Sequence, residues 1–160
     1  MDKENILMRI QNCGIVAVVR AESADKAERI VDACMEGGVA AIELTFSVPH
    51  ADRVIETLSY KYDPKDIILG AGTVMDAATA RIAMLSGAQY IVSPYLDLET
   101  LKMCNRYRVP MMPGVMSVRE AVTAMENGAD ILKIFPGDLF GPKIIKDILG
   151  PIPYAKMMPT

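Results

Sequence analysis

At 160 residues, with 51% hydrophobic and 23% charged side chains, the chain has the composition of one soluble globular domain, residues 1–160, with a substantial core. A net charge of -3, carried by scattered rather than clustered charges, gives no basic face, so nucleic acid is not the expected partner and a small molecule is. No apolar run reaches the roughly 18 residues a membrane span needs, and Met1-Asp2-Lys3-Glu4-Asn5 lacks the apolar core of a signal peptide, so the chain is expected in the cytoplasm, away from membranes.

The first predicted strand, Gly14–Arg20, is apolar and β-branched until it ends on Arg20, whose guanidinium could fork onto an anionic substrate or make a surface salt bridge. A helix over Ser23–Glu36 follows, with Ser23 at its cap. In the second strand, Ala40–Phe46, alternation sends Ile42, Leu44 and Phe46 toward helices and Glu43 and Thr45 inward. A buried carboxyl with a raised pKa is a natural general acid or base; a purely structural pair with a buried lysine is the other reading. The next helix, Pro49–Tyr60, has Pro49 where an N1 proline would stand. The third strand, Asp66–Val74, places Thr73 after Gly70-Ala71-Gly72, where small residues admit a ligand to the backbone and the hydroxyl can donate to a carboxylate or carbonyl oxygen.

Helix Ala77–Ser86 and strand Ala88–Pro94 come next, then helix Leu98–Tyr107, strand Val109–Val115 and helix Val118–Glu126, the last with Ser117 and Glu120 as a capping box. Pro94, Pro113 and Pro136 fall at or near carboxyl ends of strands, where proline stops a ladder and could also wall a pocket. Strand Ala129–Pro136 contains Lys133 among Ile131, Leu132, Ile134 and Phe135. A lysine is rarely left in such a run unless something pairs or uses it. Burial there penalises the ammonium form and favours an amine that can attack a carbonyl carbon, while a lysine snorkelling from the strand end fits the run equally well. Helix Pro142–Leu149 and strand Tyr154–Pro159 complete the pattern.

Cys13, Cys34 and Cys104 are widely spaced and outside any CxxC pattern, as unpaired packing thiols would be, and His50 is the only histidine, which leaves little from which to build a metal site or a serine-hydrolase relay. No metal and no cofactor is expected. Seven strands alternating with six helices form βα units around a parallel sheet and approach a (β/α)8 barrel, with a flavodoxin-like doubly wound sheet as the alternative.

The strand ending at Arg20, the strand with Glu43 and Thr45, Gly70-Ala71-Gly72-Thr73-Val74, Ser93-Pro94, Pro113-Gly114 and Lys133-Ile134-Phe135-Pro136 stand in an order that resembles the 2-keto-3-deoxy-6-phosphogluconate / 4-hydroxy-2-oxoglutarate aldolase family, from about Gly14 to Thr160. The resemblance implies a metal-independent class I aldolase on a (β/α)8 TIM barrel, usually a homotrimer, acting on a keto-acid substrate. It implies Lys133 as Schiff-base nucleophile, Glu43 as proton shuttle and Thr73 as a contact for the pyruvate carboxylate. Phe135 and Pro94 would wall the pocket, and Thr160 would begin the phosphate site.

Two features depart from the family pattern. Many members carry an arginine four residues after the glutamate, where this chain has Ser47; some that act on the galactonate epimer have one at the end of the first strand instead, so Arg20 could supply the charge. The family also continues beyond this threonine with a glycine pair and an eighth strand that hold phosphate through backbone amides. A barrel usually needs at least about 200 residues, so the expectation is a barrel lacking its last strand-helix unit. Alternative functions are a phosphosugar isomerase or epimerase using Glu43 without an imine, and a catalytically silent fragment serving as an interaction module.

Overall fold

Apolar residues four apart, Ile6 and Ile10, make one face of the first helix, α1 (Lys3–Cys13), and bury it inside the protein. The structure, a computed structural model, describes residues 2–160. After α1 come β1 (Ala17–Val19), α2 (Ala24–Glu36), β2 (Ala41–Thr45), α3 (Ala51–Lys61), β3 (Ile68–Gly72), α4 (Ala77–Leu85), β4 (Tyr90–Val92), α5 (Leu98–Arg106) and β5 (Met111–Met112). Then follow β6 (Gly114–Val115), α6 (Val118–Glu126), β7 (Leu132–Ile134), the short α7 (Gly137–Phe140), α8 (Lys143–Leu149) and β8 (Met157–Pro159).

Strands β1 to β5 form one parallel sheet in sequence order, and β6 to β8 form a second. The register runs Val18 to Glu43, Glu43 to Gly70, and Gly70 to Tyr90 in the first sheet, and Gly114 to Lys133 to Met158 in the second. The predicted strand Val109–Val115 is divided at Pro113, which has no N–H to give to a ladder, while its carbonyl still accepts from Lys133 N at 2.9 Å.

Side-chain alternation then sorts the core into layers. Ile42 and Leu44 of β2, with Leu69 and Ala71 of β3, pack outward against Ala27 and Val31 of α2 and Val54, Ile55 and Leu58 of α3. The opposite face is also covered. Ala41, Ile68, Tyr90, Val92 and Met112 gather there with Ile6 and Ile10 of α1 and with Ile131 and Met158 from the region of the second sheet. Both sheets therefore look onto one interior, and α1 fills one end of it. Burying each of those isoleucines contributes about 1.5–3 kcal/mol. A third cluster packs α6 and α8 on β7.

Caps follow the sequence expectation in several places. Ser23 accepts from Lys26 N, Ser117 from Glu120 N, and Glu120 reaches back to Met116 N at 2.6 Å. Other local expectations need correction. α3 starts at Ala51 with His50 as its left-handed cap, so Pro49 precedes the helix instead of opening it. α1 and α7 lie where no helix was expected. The cysteines are free thiols, Cys104 buried and the other two partly so. No helix among the described residues is long and apolar enough to cross a membrane.

Candidate active site

Inward alternation of β2 carries Glu43 into the interior, where it is 1% exposed, and β7 carries Lys133 there from the other sheet, at 5% exposed. Lys133 Nζ donates to Glu43 Oε1 at 3.4 Å. The lysine therefore does not snorkel to solvent. Lys133 Nζ also lies 5.3 Å from the centre of the Phe135 ring, so that ring flanks the nitrogen. Burial pushes the Glu43 carboxyl above its ordinary value; Lys133, and more weakly Arg20, pull it the other way. Glu43 Oε2 has no protein hydrogen-bond partner.

Glu43 has room because β3 carries glycine opposite it. A Cβ on Gly72 would stand 2.1 Å from Glu43 Oε1, so any side chain there would push the carboxyl away from Lys133.

The remaining predicted residues sit on the carboxyl side of their strands. Thr73 follows β3 with φ 55, a left-handed conformation that costs a β-branched residue about 1–3 kcal/mol and clusters at functional sites. It is half-buried, and the next residue, Val74, bonds to Val92 O of β4 at 3.2 Å. Pro94, half-buried just after β4, presses its carbonyl against Gly114, where a Cβ would meet it at 2.1 Å. Arg20 directly follows β1, is exposed, and has no ion-pair partner among the described residues.

Thr160 follows β8, its N–H donating to Ile134 O at 3.1 Å and its carbonyl accepting from Gly137 N at 2.7 Å. It lines a cavity of about 270 Å³ together with Glu43, Val18, Met158 and Pro159. Ser47 is tied locally, its hydroxyl 2.8 Å from Thr45 Oγ1, which itself donates to Val19 O at 3.1 Å. Lys133 thus meets both Glu43 and the Phe135 ring, Thr160 shares the cavity of Glu43, and Arg20 reaches Glu43 through its field. Among the described residues, no hydrogen bond or ion pair joins Thr73 or Pro94 to the lysine–glutamate pair. Sequence reasoning passed over Tyr90, which the register with Gly70 brings into the same interior.

A buried amine beside a carboxyl with a raised pKa can form an imine and move protons around it. Among the described residues, no group of three or more His, Cys, Asp or Glu side chains could hold a metal ion.

Comparison with known proteins agrees with this chemistry. The family model for KDPG and KHG aldolases matches residues 6–160. The chain is 31% identical over 158 residues to the 2-dehydro-3-deoxy-phosphogluconate aldolase of Haemophilus influenzae, covering 98% of this chain and 74% of that protein. It is 33% identical over 139 residues to the 2-dehydro-3-deoxy-6-phosphogalactonate aldolase of Escherichia coli, covering 87% and 67%. The KDPG aldolase of Legionella pneumophila, solved with pyruvate captured as a covalent carbinolamine intermediate, superposes with a TM-score of 0.84 at 29% identity, covering 91% of this chain and 70% of that one.

An α/β parallel-sheet fold with a lysine and a glutamate converging in its interior defines an enzyme of the aldolase class. The chain belongs to the KDPG and KHG aldolase family and is a class I aldolase, a lyase of carbohydrate metabolism.

Proposed function

We propose that the chain cleaves a 2-keto-3-deoxy-6-phospho sugar acid, or 4-hydroxy-2-oxoglutarate, to pyruvate and an aldehyde, with Lys133 as nucleophile. The observation that carries this is the buried 3.4 Å contact between Lys133 Nζ and Glu43 Oε1. The free amine adds to the C2 ketone, and loss of water from the carbinolamine gives a protonated imine. The C4 hydroxyl then gives up its proton as the C3–C4 bond breaks and the electron pair moves into the imine, releasing the aldehyde. Protonation of the resulting enamine at C3 and hydrolysis return pyruvate and the lysine.

Glu43 carries the protons. Burial raises its carboxyl pKa, so it holds a proton more readily than an exposed glutamate does and can hand it on beside the amine. Phe135 and Pro94 limit water at the amine, Thr73 meets the keto-acid carboxylate, Arg20 supplies the positive charge that Ser47 does not, and Thr160 contributes to the phosphate end of the site. The interior shared by both sheets supports a single TIM-barrel domain over residues 1–160, and we extend to the chain the family's homotrimer and a cytoplasmic location. Neither the isomerase or epimerase reading nor that of a silent fragment gains support from the relatives matched.

Pyruvate plus borohydride tests the assignment. A reduced adduct on Lys133, located by peptide mass, is expected from the folded chain and absent from Lys133→Met. A folded chain that gains no adduct at Lys133 overturns it.

A further inference from the structure

Among the described residues, two buried side-chain atoms lack a protein hydrogen-bond partner, Glu43 Oε2 and Tyr90 Oη. They come from opposite neighbours of one strand. β3 lies between β2 and β4, with Gly70 paired to Glu43 on one side and to Tyr90 on the other. A Cβ on Gly72 would strike the Glu43 carboxyl, and one on Gly70 would stand 2.3 Å from Cζ of Tyr90, the carbon that bears the hydroxyl. The carboxyl thus lies over one glycine, and the hydroxyl end of the phenol over the glycine two residues away on the same face. The two contact points are about 7 Å apart along the strand, and one water between two hydrogen bonds of about 2.8 Å spans about 5.6 Å, a length that fits once the phenol C–O bond and the second carboxyl oxygen lean toward each other. The charge of Glu43 is also felt by the phenol.

Packing explains the ring of Tyr90, which is fully buried among Ile10, Ile68 and Met112. It does not explain the hydroxyl. A phenylalanine would fill the same space, whereas an enclosed phenol and an enclosed carboxylate oxygen each need a partner. A small polar gap between two such groups is where a buried water is held.

We propose that Tyr90 is a positioning residue for Glu43: its hydroxyl donates through one enclosed water to Oε2, while Oε1 accepts from Lys133. The catalytic consequence rests on the aldolase reading above; the hydrogen-bonded link itself does not. A donor on Oε2 favours the ionised carboxyl, so Tyr90 tempers the rise that burial imposes and keeps the proton of Glu43 transferable. The groups facing Glu43 are Lys133 from β7, Arg20 after β1 and Tyr90 from β4; those facing Tyr90 are Glu43 and Cys13 of α1.

Carbon-13 NMR titration of the Glu43 carboxyl, assigned with Glu43→Gln, tests the link. Tyr90→Phe is expected to raise the midpoint by about one pH unit. Placing 3-fluorotyrosine, a stronger donor of the same shape, at position 90 is expected to lower it. Midpoints unchanged in both variants overturn the proposal. Exchange of pyruvate methyl protons in deuterated buffer reads the catalytic consequence: about a tenfold slower rate is expected in Tyr90→Phe, with the Lys133 adduct still formed. Failure of the parent chain to form that adduct would refute the aldolase reading alone, because the titration still decides the link.

Discussion

Lys133 and Glu43 come from strands of different sheets, ninety positions apart in the chain, and meet with the side-chain nitrogen and a carboxyl oxygen 3.4 Å apart in an interior that almost excludes solvent. Neither group could be deleted without leaving the other alone in low dielectric, which costs far more than the pair gains. Their joint retention is best understood through reactivity: an amine and a carboxyl so placed can exchange a proton as bonds to carbon form and break.

Glu43→Gln separates the two roles. Imine formation uses the lysine amine and should persist, so pyruvate plus borohydride still labels Lys133, more slowly. Carbon–carbon cleavage needs the proton carrier and is expected to fall by about 10²–10⁴ in kcat. Stopped assays for pyruvate release, run beside the labelling, check this; equal loss of both would merge the roles.

Stability should depend on pH through the same carboxyl. Burial raises the folded-state pKa of Glu43 above its ordinary 4.5, so the folded chain holds this proton more tightly than the unfolded chain. That stabilisation is fully present below pH 4.5 and is lost as pH rises through the folded pKa. Each unit between the two values is worth about 1.4 kcal/mol. Relative to Glu43→Gln, which does not titrate, the parent chain should lose stability across this window. Urea unfolding of both proteins from pH 4.5 to pH 8 measures it, and a constant difference would show that Glu43 is not perturbed as described.

Arg20→Ala should raise KM for the keto acid about tenfold or more and leave kcat within a few-fold, because it removes an anion contact and no reacting group. It is exposed and has no ion-pair partner among the described residues, so unfolding free energy should change by less than about 0.5 kcal/mol. An unchanged KM would leave the substrate charge without its assigned partner.

Ile10→Ala should cost about 2–5 kcal/mol, since the side chain is 5% exposed in the interior cluster. Met8→Ala, two residues away on the same helix but 52% exposed, should cost less than about 0.5 kcal/mol. Paired chemical denaturation curves distinguish a helix that fills the interior from one that merely rests on it.

The strand–helix alternation and the lysine–glutamate pair were legible because period-two patterning fixes which face a strand residue takes, and a charged residue on an apolar face stands out in one dimension. α1 was not, although Asp2 caps it and Gly14 ends it in a left-handed turn, because charges at Lys3, Glu4 and Arg9 mask Ile6 and Ile10. Tyr90 escaped for a different reason. It reads as one more apolar strand residue until the register sets it beside Gly70, and a missing hydrogen bond is visible only in three dimensions. The division at Pro113 was half legible, since the proline was noticed as a terminator but not as an interruption with strand on both sides.

The polar end of α1 is fastened by Lys3 to Asp130 at 2.6 Å and to Asn105, and by Glu4 to Arg108, partners separated from it by more than a hundred residues. α1 therefore cannot be pinned in its seat until the chain as far as Asp130 has been made. Until then Ile6 and Ile10 lack part of the cluster that buries them, Ile131 included, so the nascent helix is a sticky segment that a chaperone, or a second nascent chain, meets before the protein can hide it.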